Sequence, residues 1–212
     1  MCRKEFLRIF AAKLLAMILS IRPYGHPILR QKCASISSDY PGLQPLIDSM
    51  WETMYNAQGC GLAAPQVGHA IRLFTVDSKT SYESYDTAER ETYFAATDEG
   101  IVETFINAQI IEQSDETWED EEGCLSIPHL SQKVKRPWRI TIRYEDRHFT
   151  TRTRVFGGIT ARMIQHEYDH TEGVLYLDYL QPLTKRMLTA KIKQIARRQP
   201  VVNYPMLYKS NR

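Results

Sequence analysis

The chain has 212 residues, 43% of them apolar and 25% charged, with a formal net charge of +2 at pH 7. That length fits one domain better than two and supplies enough apolar side chains for a sizeable core. The small charge gives no basis for nucleic acid as the direct substrate, and no apolar run reaches the ~18–20 residues that span a bilayer.

In chain order, residues 1–16 are basic and apolar, with Arg3, Lys4, Arg8 and Lys13. Targeting signals share that composition. The apolar run Leu14–Leu19 is short and no small-residue cleavage site follows, so the segment reads as an extension upstream of a domain starting at Met17. Pro23-Tyr24-Gly25-His26-Pro27 is turn-rich. Leu43, Leu46, Ile47, Met50 and Met54 fall at helical spacing and predict a helix over Pro41–Tyr55, with Asp39 as its cap. Ile71–Asp77 is rich in β-branched and aromatic residues and predicts a strand. Residues 78–100 are polar, acidic and without clear period, so they read as an exposed or partly disordered loop insertion. Phe105–Glu112, Arg139–Tyr144 and Thr150–Val155 alternate like strands. Gly157-Gly158 breaks the chain before a helix over Ile159–Thr171. A basic C-terminal helix, Thr184–Arg198, follows Pro182, and residues 200–212 read as a tail. The cysteines (Cys2, Cys33, Cys60 and Cys124) form no disulfide framework, so free thiols in a reducing, cytoplasmic compartment are expected.

The most informative motif is His166-Glu167-Tyr168-Asp169-His170. Histidines at i and i+4 project from one face of a helix and can grip one metal ion, with Glu167 beside it as a base. A catalytic metal needs a third protein ligand. Glu172 and Asp178 are near in sequence. Upstream, Glu122-Gly123-Cys124-Leu125-Ser126 offers a thiolate after a glycine that permits close backbone approach. A third segment, Gly59-Cys60-Gly61-Leu62-Ala63-Ala64-Pro65-Gln66, leaves room for a substrate backbone and offers the amide of Gln66.

GxGLAAPQ, EGCLS and QHExDH, in that order, resemble the peptide deformylase family. The similarity extends to Met17-Ile18-Leu19 with Gly25–Arg30 as an opening strand, to Phe105-Ile106-Asn107 and to Gly173-Val174-Leu175-Tyr176. It covers about Met17 to Arg198, in a domain taken as residues 17–199. The resemblance implies an α+β fold, with antiparallel or mixed sheets around a central helix bearing the HExxH motif and with a C-terminal helix. It implies a hydrolase that removes the formyl group from the N-terminal methionine of nascent polypeptides. Cys124, His166 and His170 match the family's metal ligands, and Glu167 its general acid/base. Gln66 and the backbone N–H of Leu125 match donors to the carbonyl oxygen, and Gly61 and Gly123 match positions flanking the peptide. Cys60 and Met163 are candidate walls for the methionine side chain. The implied metal is Fe2+, with Zn2+, Ni2+ or Co2+ as substitutes, and the implied partners are formylmethionyl peptides and, through the basic C-terminal helix, the ribosome. Ser131 stands where many relatives carry a basic residue. The rival readings are a zincin-like peptidase and a catalytically silent metal-binding relative.

Overall fold

The computed structural model describes residues 17–197 and 200–208; the predicted N-terminal extension, residues 1–16, lies outside them. Every strand ladder is antiparallel. Strands β1 (Gly61–Ala63), β2 (Leu73–Asp77), β3 (Val102–Gln113), β6 (Arg139–Glu145) and β7 (Thr151–Gly157) form one sheet in the order β1-β2-β3-β6-β7. Strands β4 (Thr117–Cys124) and β5 (Ile127–Pro137) form a separate hairpin.

Alternation in the strands divides the core. Leu62, Leu73 and Ile106 point to one face and pack with Ile47, Met50 and Met54 of helix α1 (Leu43–Asn56). Ala63, Phe74 and Phe105, their chain neighbours, point to the other and pack with Ala161 and Ile164 of helix α4 (Gly158–Glu172). The period-2 pattern of half-buried strands thus places one helix on each side of the sheet. A third cluster joins Ile127, Leu130 and Val134 of β5 to Tyr176, Leu177, Leu180 and, from the C-terminal helix α5 (Pro182–Ala196), Ile195. Helix α4 stops at Gly173, whose φ of +75° suits a left-handed cap. A side chain there would sit 2.8 Å from the Arg30 carbonyl group.

Several expectations change. Residues 78–100 are not a loop but hold two short helices, α2 (Lys79–Ser84) and α3 (Thr87–Tyr93). Asp86 and Glu89 form a capping box on α3, and Tyr82 and Tyr85 both pack edge-on against Phe94. This aromatic cluster stabilises segments too short to show a period. Asp39 does not cap α1: its carboxylate takes the Ser37 hydroxyl, and Gly42 is the N-cap. Met17–Leu19 is not a strand. It runs extended along α1, with Met17 N–H donating to Ser49 Oγ and Leu19 N–H to Thr53 Oγ1. Pro27–Arg30 is a 3-10 turn. The segment after α5 folds back, and Met206 makes a parallel bridge to Ile21. Cys33, Cys60 and Cys124 are free thiols, as expected.

Candidate active site

Two elements meet at the site. The β4–β5 hairpin presents Cys124 at its turn, and α4 presents His166, Glu167 and His170. Cys124 Sγ lies 3.3 Å from His170 Nε2, and the sulfur and one ring nitrogen from each histidine all lie within 4.8 Å of one another. Ligands at ~2.0–2.3 Å from a tetrahedral cation stand roughly 3.5 Å apart, so the three atoms fit one metal ion. A thiolate with two imidazoles suits a borderline-soft divalent cation over Mg2+ or Ca2+. Burial drives the His170 pKa well below its ordinary value and keeps the ring neutral, the ligating form. Burial also opposes charge on His166, but the Cys124 thiol and Glu122 carboxylate overcome it and raise that pKa well above the ordinary value. His166 Nδ1 lies 2.9 Å from Glu122 Oε2, which leaves Nε2 to face the cation.

Behind the ligands is a buried charge network. Arg136 donates to both oxygens of Glu122, at 2.6 and 2.9 Å, and to Asp169 at 2.8 Å. Arg162 Nη1 donates to the same Glu122 at 2.7 Å. Burial works to raise the Glu122 pKa, but the hydrogen bonds of Arg136 and His166 hold it far below the usual carboxylate range. None of Glu122, Arg136, Arg162 and Asp169 was singled out as functional from the sequence. Their contacts join β4, β5 and α4 across 14 to 40 residues, and a long-range buried ion pair has no local signature. The Glu-Gly-Cys and His-Glu-x-Asp-His segments do contain Glu122 and Asp169. A buried acid next to a ligand is the signal that could have found them.

Glu167 lies one residue after the first histidine and faces β1. A Cβ on Gly61 would stand 2.7 Å from Glu167 Cγ, so only glycine leaves the carboxylate its place. Glu167 Oε2 is buried with no partner among the described residues. Burial pushes this carboxyl up to about 7. Gln66 is also buried. Its Oε1 accepts the Ala63 N–H at 2.8 Å, which turns its NH2 toward Cys124 Sγ at 3.5 Å and Ser126 Oγ at 3.3 Å. Leu125 is half-buried in the hairpin turn, between Cys124 and Ser126.

These groups line a cleft of about 1070 Å3. Cys60, Gly61, Gly123 and Leu125 line it, together with Met163 from α4. Of the residues expected from the sequence, Gln66, Cys124, His166 and Glu167 also line it, and His170, outside the lining, meets Cys124 Sγ at 3.3 Å. Ser131 lies on the rim, where its hydroxyl donates to Glu121. Val201–Tyr204, read from the sequence as tail, also line the cleft.

The family model for polypeptide deformylase matches residues 18–186. The chain is 44% identical over 194 residues to a peptide deformylase of Christiangramia forsetii, covering 91% of this chain and 96% of that protein. It is 42% identical over 195 residues to one of Salinibacter ruber, covering 92% and 97%. Among solved structures it is similar to peptide deformylase from Ehrlichia chaffeensis (TM-score 0.73, 30% identity, 85% of this chain and 98% of that one). It is also similar to the Plasmodium falciparum peptide deformylase complex with inhibitor (TM-score 0.68, 29% identity, 84% and 99%).

Proposed function

The chain belongs to the polypeptide deformylase family, metal-dependent hydrolases that remove N-formyl groups from nascent polypeptides, and we propose that Cys124, His166 and His170 hold its metal as Fe2+ while Glu167, Gln66 and Leu125 carry the proton and oxyanion work. The observation that supports this most is the convergence of one thiol and two imidazoles beside a buried, unpartnered carboxylate oxygen. A zincin-like site is disfavoured because the third donor is a cysteine from an upstream hairpin.

A divalent cation bound there would lower the pKa of water toward neutrality and polarise an amide carbonyl. The chain's own groups do the rest. Glu167, with its carboxyl near neutral pH, accepts the proton of the attacking water and passes it to the leaving amine. The Gln66 NH2, held by its bond from Ala63, and the Leu125 N–H donate to the carbonyl oxygen as it gains charge. One such donor contributes about 3–4 kcal/mol in comparable acyl-transfer sites. The glycine at position 61 lets Glu167 approach the strand closely, and a formyl group is small enough for a site confined in this way. The methionine side chain lies against Met163 and Cys60.

The peptide main chain is held as an added strand. Strand β1 lies at the edge of its sheet, and Gly59, Gly61 and Gly123 all line the cleft. Main-chain pairing tolerates many sequences, as a processing enzyme requires. No described helix is long and apolar enough to cross a membrane. The nascent-chain substrate places the work in the cytoplasm, and Lys185, Arg186, Lys191 and Lys193, exposed on α5, are the surface for transient ribosome contact. The deciding experiment pairs metal analysis of anaerobically purified protein with formate release from formyl-Met-Ala-Ser and its acetyl analogue. Iron with turnover of the formyl peptide alone is the expected result. A metal-free or zinc-only protein with full turnover refutes the iron assignment, and the absence of formate release refutes the roles given to these residues.

A further inference from the structure

The family match ends at residue 186, yet the chain continues through α5 and returns to the site. Four hydrogen bonds hold the returning segment. His129 Nε2 donates to the Val201 carbonyl at 2.8 Å. The Tyr204 hydroxyl donates to the Leu125 carbonyl at 2.8 Å. Ile21 N–H donates to Pro205 O at 2.8 Å, and Leu207 N–H to Ile21 O at 2.9 Å. The backbone is thus pinned to both ends of the Leu125–His129 wall. Val201 is 89% exposed and Val202 half-buried, and both line the cleft. A pinned backbone that presents apolar side chains to a groove is a surface prepared for a ligand, because the ordering cost is already met before binding.

We infer that Val201 and Val202 form a subsite that reads the residues following formylmethionine and favours apolar side chains there. The inference rests on the deformylase reading, since it takes the occupant of the cleft to be a formylated peptide. The segment lines the same cleft as Gly61 and Gly123, and it is tied to Leu125, the neighbour of the ligand Cys124, through the Tyr204 hydroxyl. Apolar side chains at those positions bury surface against the two valines; serines do not. This selection belongs to the chain's own C-terminal segment, outside the stretch that the family model spans.

The test compares kcat/KM for formyl-Met-Leu-Leu and formyl-Met-Ser-Ser. The parent protein is expected to prefer the leucine peptide by about fivefold, the scale of one or two buried methylenes. The double variant V201S/V202S brings the ratio close to one, with the change carried by KM. Val155→Ser, at an exposed position on the far edge strand, keeps the parent ratio. A parent without preference, or a double variant that keeps it, overturns the inference. Absence of formate release from both peptides in the parent instead refutes the deformylase reading on which it rests.

Discussion

Replacing Glu122 with alanine is expected to damage both the fold and the metal site. Its carboxylate takes two hydrogen bonds from Arg136 and one from Arg162, and its Oε2 pairs with His166 Nδ1. The side chains of Glu122, Arg136 and Arg162 are 3–4% exposed. Without Glu122, Arg136 keeps Asp169, but Arg162 keeps only backbone carbonyls, which leaves one uncompensated buried charge. Breaking a buried pair in this way costs about 3–5 kcal/mol. For a chain of this size that lowers the melting temperature by about 6–20 °C.

The second effect is on the metal. Glu122 fixes which nitrogen of His166 faces the cation, and loss of such a partner weakens metal affinity by roughly 10–100-fold. Urea unfolding with a chelator present isolates the ion network, because bound metal would itself add stability. Chelator competition then measures affinity. Glu122→Gln, which keeps the shape and two polar atoms, should fall between the parent and Glu122→Ala. An alanine variant within ~1 kcal/mol of the parent and with metal affinity unchanged would refute the reasoning.

Gly61→Ala pushes a Cβ into Glu167, so formate release should drop by about 100-fold for a displacement near 1 Å, while urea unfolding shows a loss of no more than ~3 kcal/mol; near-parent turnover would remove the close approach from the argument. Glu167→Gln should keep metal content by elemental analysis and lose at least ~10²-fold in turnover. If iron is the working metal, activity should decay in air, as Cys124 and the ferrous ion oxidise, and persist after Ni2+ substitution; an air-stable iron enzyme would count against this. Burial works to raise the Asp178 pKa, but the hydrogen bond of Arg30 outweighs it and holds the carboxyl below its ordinary 3.8. That stabilisation is present above 3.8 and is lost as pH falls below it, so the melting-temperature gap between parent and Asp178→Asn should shrink below about pH 4. A gap constant from pH 7 to 3 would contradict it.

What the sequence revealed follows from the range of each interaction. Helix α4 was legible because its two histidines and its apolar residues repeat within one and two turns. Strand β2 was legible from its β-branched and aromatic residues, and β3, β6 and β7 from alternation. The β4–β5 hairpin was not: Trp118-Glu119-Asp120-Glu121-Glu122 carries charges on both faces, and β5 alternates Lys133 and Lys135 with Val134 and Arg136. Arg136 at an inward position hides the period, because its charge is neutralised only by residues from two other elements. Cys124 was placed at the site by family resemblance, since nothing local tells a ligand cysteine from a buried one. The C-terminal segment failed as a prediction for a related reason. Its contacts are with Ile21, Leu125 and His129, more than 70 residues away.

The hairpin explains why the buried network exists. No hydrogen-bonded strand ladder joins β4–β5 to the five-stranded sheet among the described residues. On one side the hairpin rests on α5 and the Tyr176–Leu180 turn through apolar contacts. On the side facing α4, ion pairs replace a ladder: Glu122 to Arg162, Arg136 to Asp169, and Glu122 to His166. Arg162, His166 and Asp169 sit at i, i+4 and i+7, one stripe of α4. His170 continues that stripe and meets Cys124. The attachment of the hairpin and the alignment of the metal ligands are therefore one set of contacts. Apolar residues of equal volume in place of Glu122 and Arg136 could hold the hairpin as firmly. They could not orient an imidazole ring, which needs a directional acceptor at Nδ1. That directionality, rather than stability, accounts for a costly buried carboxylate at this position.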